Sequence, residues 1–117
     1  MTEPILVAKN DKNEYSLLPQ MANRHGVITG ATGTGKTVTL QRIAEGFSQR
    51  GVPVFMADIK GDLTGVSQAG GGNPKVDDRN KMLGIEAQFT GFPVTLWDVL
   101  ANRDIRCAQR SLRWARC

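Results

Sequence analysis

Residues 26–40 read GVITGATGTGKTVTL, and this stretch decides the fold class of the chain. The run GVIT at 26–29 is short, apolar and β-branched, which predicts a buried strand. A glycine-rich segment follows, and from Lys36 the apolar side chains take helical spacing. They are Leu40, Ile43, Ala44 and Phe47, and Gly51 after Arg50 is a suitable helix stop. We therefore predict a strand, a glycine loop and an amphipathic helix in succession.

Further apolar runs extend this unit into a sheet. Residues 52–57 (VPVFMA) predict a second buried strand parallel to the first, which completes a βαβ unit. Residues 92–97 (FPVTLW) predict a third strand. The sequence therefore predicts an α/β fold with a parallel sheet. Smaller predicted elements are a strand over 5–8 that pairs with 15–18 as a hairpin, a glycine-rich loop over 60–75 and a short helix over 77–83.

The glycine loop fits the phosphate-binding pattern GxxxxGK[ST]. Its residues are Gly30, Ala31, Thr32, Gly33, Thr34, Gly35, Lys36 and Thr37. The three glycines permit positive φ and close approach of the backbone to phosphate oxygens, while the helix start directs N–H groups and its positive dipole end toward them. We expect Lys36 to contact the β- and γ-phosphates and Thr37 to coordinate Mg²⁺. The alternative is a glycine-rich turn with a lysine at a helix start.

Asp58 ends the second predicted strand, so it lies at the carboxyl edge of the predicted sheet, where ligands of such folds bind. One interpretation gives Asp58 a role in holding Mg²⁺ through water or in ordering the nucleotide-binding edge, with Lys60 and Asp62 nearby. The other interpretation is that Asp58 caps a turn before Gly61. The sequence leaves both open.

Composition and charge indicate a soluble protein of the cytoplasm. The formal net charge of +4 lies entirely in residues 101–117, which contain five arginines against Asp104. Both cysteines, Cys107 and Cys117, also lie there, and their absence from the first hundred residues suits a reducing compartment. No apolar run approaches the roughly 18 residues that a membrane helix needs, so we expect no membrane contact.

A wider match accompanies the motif. Residues 21–37 (MANRHGVITGATGTGKT), the following VTLQRIAEGFSQRGVPVF and the segment MADIKGDLTG resemble the bacterial HerA-like ATPase family with a HerA C-terminal-type domain. That family belongs to the HerA/FtsK group of P-loop motor proteins. The opening PILVAKN and the later FTGFPVTLWDV extend the resemblance over about residues 4–100. NRH before the first predicted strand and DIKGDL after the second are the features most like the family.

The resemblance implies a RecA-like P-loop NTPase core with ATP and Mg²⁺ as ligands. It places phosphate binding on residues 30–37 and a role at the nucleotide edge on Asp58. It also implies a homo-oligomeric ring that translocates DNA, with the remaining catalytic acids and the arginine finger beyond the end of this chain. The domains we expect are an N-terminal β segment over 1–24, a partial and truncated P-loop NTPase core over 25–100 and a basic tail over 101–117.

Hydrolysis is less supported by the residues than binding. No run of the form hhhhD[DE] occurs, and the nearest, VFMAD at 54–58, follows the helix immediately and lacks an adjacent glutamate. P-loop hydrolases need such an acid and a group that orients water. Two alternatives to an ATPase therefore stay open: a catalytically inert nucleotide-binding fragment, and a small-molecule kinase, whose arginine-bearing lid the 61–73 loop does not supply.

We predict that a frameshift after about residue 99 produced the tail. ANRDIRCAQRSLRWARC can be encoded so that the frame one base earlier reads GEQGHPVRATVSEMGPL, which looks like the continuation of the family. The alternative is a real basic helix with a partial apolar face. Sequencing the gene across codons 95–105 should show the shift, and an intact frame ending at Cys117 would remove the hypothesis.

Overall fold

A computed structural model describes residues 3–85 and 89–96 as a small mixed α/β arrangement. The described part contains one two-stranded antiparallel sheet, two α-helices and two 3₁₀ helices. In chain order they are β1 (Ile5–Lys9), β2 (Glu14–Leu17), the 3₁₀ helix Pro19–Met21, α1 (Lys36–Gln49), the 3₁₀ helix Asp62–Ser67 and α2 (Pro74–Leu83). The α/β class expected from the sequence is confirmed at this level.

The N-terminal hairpin is confirmed. β1 and β2 pair antiparallel, with Ile5 opposite Leu17 at the open end. The Asn10 side chain closes the connecting turn, because its Oδ1 accepts from the backbone N–H groups of Lys12 at 3.0 Å and Asn13 at 2.7 Å. Asparagine favours turns because it can bond its own neighbouring backbone in this way. A short local turn is therefore sufficient to form this sheet.

The predicted helix α1 is also confirmed, together with its end. Gly51 follows it with φ 74°, a left-handed value that favours glycine, and its N–H donates to the Ser48 carbonyl at 3.0 Å. Of the four predicted core positions, Ala44 is buried and Ile43 and Phe47 are half-buried. Leu40 is exposed instead. The apolar face of α1 is thus turned inward at its middle and C-terminal turns.

The small core lies where α1 meets β1 and the 3₁₀ helix Asp62–Ser67. The buried apolar side chains of the described residues are Ile5, Ala44 and Val66, one from each element. Gly46 allows the closest approach, since a Cβ added there would lie 2.5 Å from Cγ2 of Ile5. Arg42 adds a hydrogen bond from Nε to the Leu6 carbonyl at 3.2 Å. α1 is therefore the element against which β1 and the 3₁₀ helix Asp62–Ser67 are positioned.

The expected parallel sheet is not found in the described part of the chain. Residues 26–29, 52–57 and 92–96 form no paired strand there, and Trp97 lies outside the described residues. The side chains of Val27 and Phe55 are accordingly each 84% exposed. β-branched residues favour extended backbone, but a parallel strand gains stability only from hydrogen-bonded neighbours and cover on both faces. Neither is supplied to these segments by the described residues.

Two smaller predictions need correction. The segment 60–75 was expected to be loop throughout, yet Asp62–Ser67 is a 3₁₀ helix. The second helix was expected at 77–83, yet α2 begins at Pro74. Asn73 caps it, because its Oδ1 accepts from the Lys75 N–H at 3.1 Å, and proline is well suited to the first helical position. The pair Asn73-Pro74 was the sequence signal that α2 begins before residue 77.

We predict that Gly46→Ala destabilises the protein. Overpacking against Ile5 costs about 1–3 kcal/mol, which offsets the roughly 1 kcal/mol gained when alanine replaces glycine in a helix. The expected net loss is about 1 kcal/mol in the free energy of unfolding, measured by urea denaturation followed by circular dichroism.

An Ile5→Ala background provides the control. There the side-chain atoms that Cβ would meet are gone, so Gly46→Ala should be neutral or stabilising. Equal effects of Gly46→Ala in the two backgrounds would contradict the proposed contact between α1 and β1.

Candidate phosphate-binding site

The glycine loop, residues 30–37, leads directly into α1. Gly33 has φ 79° and Gly35 has φ 91°, so positive φ is confirmed at these two positions. It is wrong for Gly30, which is not among the glycines with positive φ. Gly30 is required for close approach instead, because a Cβ there would overlap Oγ1 of Thr34. The loop thus uses its glycines for two different physical reasons.

The Ala31 carbonyl is the internal acceptor of the glycine loop. It receives the Thr34 hydroxyl at 2.7 Å and the Thr34 N–H at 3.4 Å. The Lys36 ammonium donates to the same oxygen at 2.6 Å. The lysine side chain therefore folds back over the loop, and its charge lies beside the backbone of residues 31–34.

The start of α1 presents unneutralised donors. Gly35 is the N-cap residue and supplies no side-chain cap, and the first turn carries no acidic side chain. The first N–H groups of a helix have no intrahelical acceptor, and their partial positive charge attracts anions. Thr37 is exposed in this turn with its hydroxyl. Backbone N–H groups, an ammonium and a hydroxyl form a donor set that fits phosphate oxygens and a phosphate-bound Mg²⁺.

Asp58 organises the segment 58–63, called here the Asp58 turn. Its Oδ1 accepts from the N–H groups of Lys60 at 3.2 Å and Gly61 at 2.9 Å, and its Oδ2 accepts from the Leu63 N–H at 2.9 Å. The hydrogen bond from Leu63 has the largest effect on the pKa of this carboxyl and lowers it. Desolvation opposes this, but the bonds from Gly61 and Lys60 lower the pKa further, and the net result is a pKa below the ordinary value. The structure thus shows the turn-capping interpretation of Asp58.

The Mg²⁺ role of Asp58 stays a prediction. Within residues 3–85 and 89–96, no hydrogen bond joins Asp58 to the glycine loop, and no group of three or more His, Cys, Asp or Glu is arranged to hold a metal ion. The other predicted ligand, Thr37, would have to bind Mg²⁺ together with phosphate oxygens.

A connection that the sequence reasoning missed joins the two parts of the site. Gln41, one turn after Thr37 on α1, donates from Nε2 to the Asp62 carbonyl at 3.0 Å. The i, i+4 spacing of Thr37 and Gln41 was the available signal, because residues four apart lie on the same face of a helix. The Asp58 turn is therefore attached to the helix face that carries Thr37.

Other features of the described residues lie apart from this site. A shallow cavity of about 260 Å³ is lined by α2, Ile85 and Phe89, and includes none of the predicted site residues. None of the described helices has the length and apolar character needed to cross a bilayer. The predicted tail 101–117, with Cys107 and Cys117, lies outside the described residues.

The fold and the donor set define a small α/β protein with a candidate phosphate-binding helix start. A family model, helicase HerA-like C-terminal, matches residues 3–110. The chain therefore belongs to the HerA-like family, and the resemblance seen in its motifs is confirmed. The match ends inside the basic tail. No curated protein and no solved structure matches the chain.

We predict that Asp58→Ala loosens the Asp58 turn. The amides of Gly61 and Leu63 should exchange with solvent faster, because both lose their acceptor, and hydrogen exchange followed by NMR measures this. The matched control is Asp62→Ala in the same turn, which should leave both amides unchanged because the Asp62 carboxylate accepts neither. Equal exchange in the two variants would contradict the capping role.

The pH dependence has a definite sign. The depressed pKa of Asp58 means that its contribution to the turn is fully present above the ordinary value of 3.8 and is lost as pH falls through the lower folded value. The Leu63 amide shift should therefore titrate with a midpoint below that of an ordinary aspartate.

Proposed function

We propose that the glycine loop binds the phosphates of ATP with Mg²⁺, and that the protein is an ATPase of the HerA/FtsK kind that acts on DNA. The observation that carries the proposal is the start of α1, which has no capping side chain and no acidic residue in its first turn, next to the Lys36 ammonium. A helix N-terminus of this kind favours a bound anion, and lysine adds a full positive charge.

Nucleotide binding requires an exchange of hydrogen-bond partners at Lys36. Its ammonium leaves the neutral carbonyl of Ala31 and bonds an anionic phosphate oxygen. The ammonium thereby exchanges a neutral acceptor for a negatively charged one, and the attraction between the two opposite charges favours the bound state. Thr34 keeps its own bonds to Ala31 and preserves the shape of the loop. The Thr37 hydroxyl oxygen would coordinate Mg²⁺, and the N–H groups at the start of the helix would donate to the remaining phosphate oxygens.

Membership of the HerA-like family supports the proposals that the protein hydrolyses ATP, acts on DNA and assembles into a homo-oligomer. A RecA-like core and a homo-oligomeric ring that moves along DNA belong to this proposal on the same ground. So does the cytoplasm, which the cysteine-free first hundred residues favour. The residues support nucleotide binding better than they support hydrolysis. The reason is that the Asp58 carboxylate already accepts hydrogen bonds from three backbone N–H groups.

A nucleotide-binding protein without turnover is the second candidate function. The engagement of Asp58 in its turn favours it, because hydrolysis needs an acid for Mg²⁺ and a group that orients water. A small-molecule kinase has less support, since the 61–73 segment contains a 3₁₀ helix and no arginine that could cover a phosphate. Steady-state hydrolysis with and without DNA separates the candidates.

We predict that Lys36→Ala weakens the binding of Mg-ATP by about 10- to 100-fold, the loss expected for one hydrogen bond to a charged group. Calorimetric titration measures the affinity. Any ATP turnover should disappear in the same variant.

Lys12→Ala is the matched control, because Lys12 is an exposed lysine in the β1–β2 turn and should leave affinity unchanged. Binding without turnover by the wild-type chain would favour the second candidate function. A folded wild-type chain with no affinity for Mg-ATP would overturn the proposal.

A further inference from the structure

α1 contacts both parts of the candidate site. Its first turn carries the end of the glycine loop, and Gln41 one turn later donates to the Asp62 carbonyl at 3.0 Å. The Gln41 side chain is half-buried and lies against the 3₁₀ helix, since a Cβ on Gly65 would be 3.9 Å from its Nε2. The Gln41 amide therefore has a defined backbone partner, in a bond that is exposed to solvent.

The peptide group that Gln41 contacts is also the one that binds Asp58. The Asp62 carbonyl and the Leu63 N–H belong to the same peptide unit. Gln41 donates to its oxygen, and its N–H donates to Oδ2 of Asp58 at 2.9 Å. A peptide group that accepts at one end and donates at the other is polarised by both bonds, and each strengthens the other. A continuous hydrogen-bonded chain therefore runs from Gln41 to the Asp58 carboxylate.

α1 connects this hydrogen-bonded chain to the glycine loop. Thr37 and Gln41 lie four residues apart, one above the other on a single helix face. A movement of α1 as a rigid body would therefore move Thr37 and Gln41 together, and with Gln41 the peptide unit that it contacts.

We infer that Gln41 is a positioning residue that couples the glycine loop to the Asp58 turn through the peptide group between Asp62 and Leu63. The inference rests on the proposed function, because it requires a phosphate to bind at the start of α1. Gln41 then transmits the effect of that binding to Asp58. Gln41 itself touches no nucleotide in this scheme. It holds Asp58 in a defined orientation and makes that orientation sensitive to the occupant of the glycine loop.

Three variants of the full chain test the coupling. Gln41→Met keeps the length and helix propensity of the side chain but removes the donor. Gln41→Lys restores a donor, and Gln49→Met makes the same change at an exposed position of the same helix. Circular dichroism confirms that each variant retains its helices.

In the absence of nucleotide, the Leu63 amide in Gln41→Met should exchange about five-fold faster than in the wild-type chain, the effect of one typical hydrogen bond. Gln41→Lys and Gln49→Met should resemble the wild type. Equal exchange in Gln41→Met and Gln49→Met would overturn the inference.

With Mg-ATP at a concentration that saturates each variant, the NMR signal of the Leu63 amide should shift in the wild type and in Gln41→Lys but not in Gln41→Met. An unchanged Leu63 signal in a wild-type chain that binds Mg-ATP would overturn the coupling and leave the proposed function intact. Absence of binding would remove the proposed function and the coupling together, and the nucleotide-free measurement would still decide whether Gln41 holds the Asp58 turn.

Discussion

The close approach of α1 to β1 is the contact on which the rest of the structure depends. Ile5 packs against the backbone of α1 at Gly46, where a larger residue would collide with it. Arg50 ties the end of the helix to the carbonyls of Glu3 and Pro4 at 3.1 and 3.2 Å. Once α1 is fixed in this way, its first turn sets the position of the glycine loop, and Gln41 sets the position of the Asp58 turn. A small core thus organises two functional segments through one helix.

Local features of the structure were predictable from the sequence because short-range physics determines them. The glycines at 33 and 35, the lysine at the helix start and the stop at Gly51 act within a few residues of themselves, and the structure places all of them as expected. The hairpin is local in the same sense, since Asn10 closes its turn. The predicted parallel sheet was not found in the described residues. Its strands at 26–29 and 52–57 are separated in sequence by the glycine loop and α1, so their pairing is a long-range contact. Strand propensity could not decide that pairing, because propensity does not report whether neighbours and cover are present.

Asp58 shows the same difference between local and long-range contacts within the candidate site. Its position at the end of an apolar run suggested a metal ligand at a sheet edge, and the following turn to Gly61 suggested a cap with equal force. The structure assigns three backbone donors to it, and two of them, Gly61 and Leu63, are at 2.9 Å. The spacing of Thr37 and Gln41 placed both on one helix face, but it could not identify the partner of Gln41, because that partner is a backbone carbonyl and carbonyls carry no residue-specific signal. Only the fold could show which peptide group it reaches.

The candidate phosphate site does not depend on the sheet in order to present its donors. Its N–H groups come from the first turn of α1, its charge from Lys36, and its loop shape from two left-handed glycines and the bonds of Thr34 to Ala31. Catalysis makes a different demand, because attacking water and metal have to be held from segments far apart in sequence. The proposed phosphate binding therefore needs only local contacts, whereas the proposed turnover needs long-range ones. The described contact between α1 and the Asp58 turn is the peptide group to which Gln41 donates and which donates to Asp58, so the proposed coupling rests on that one group.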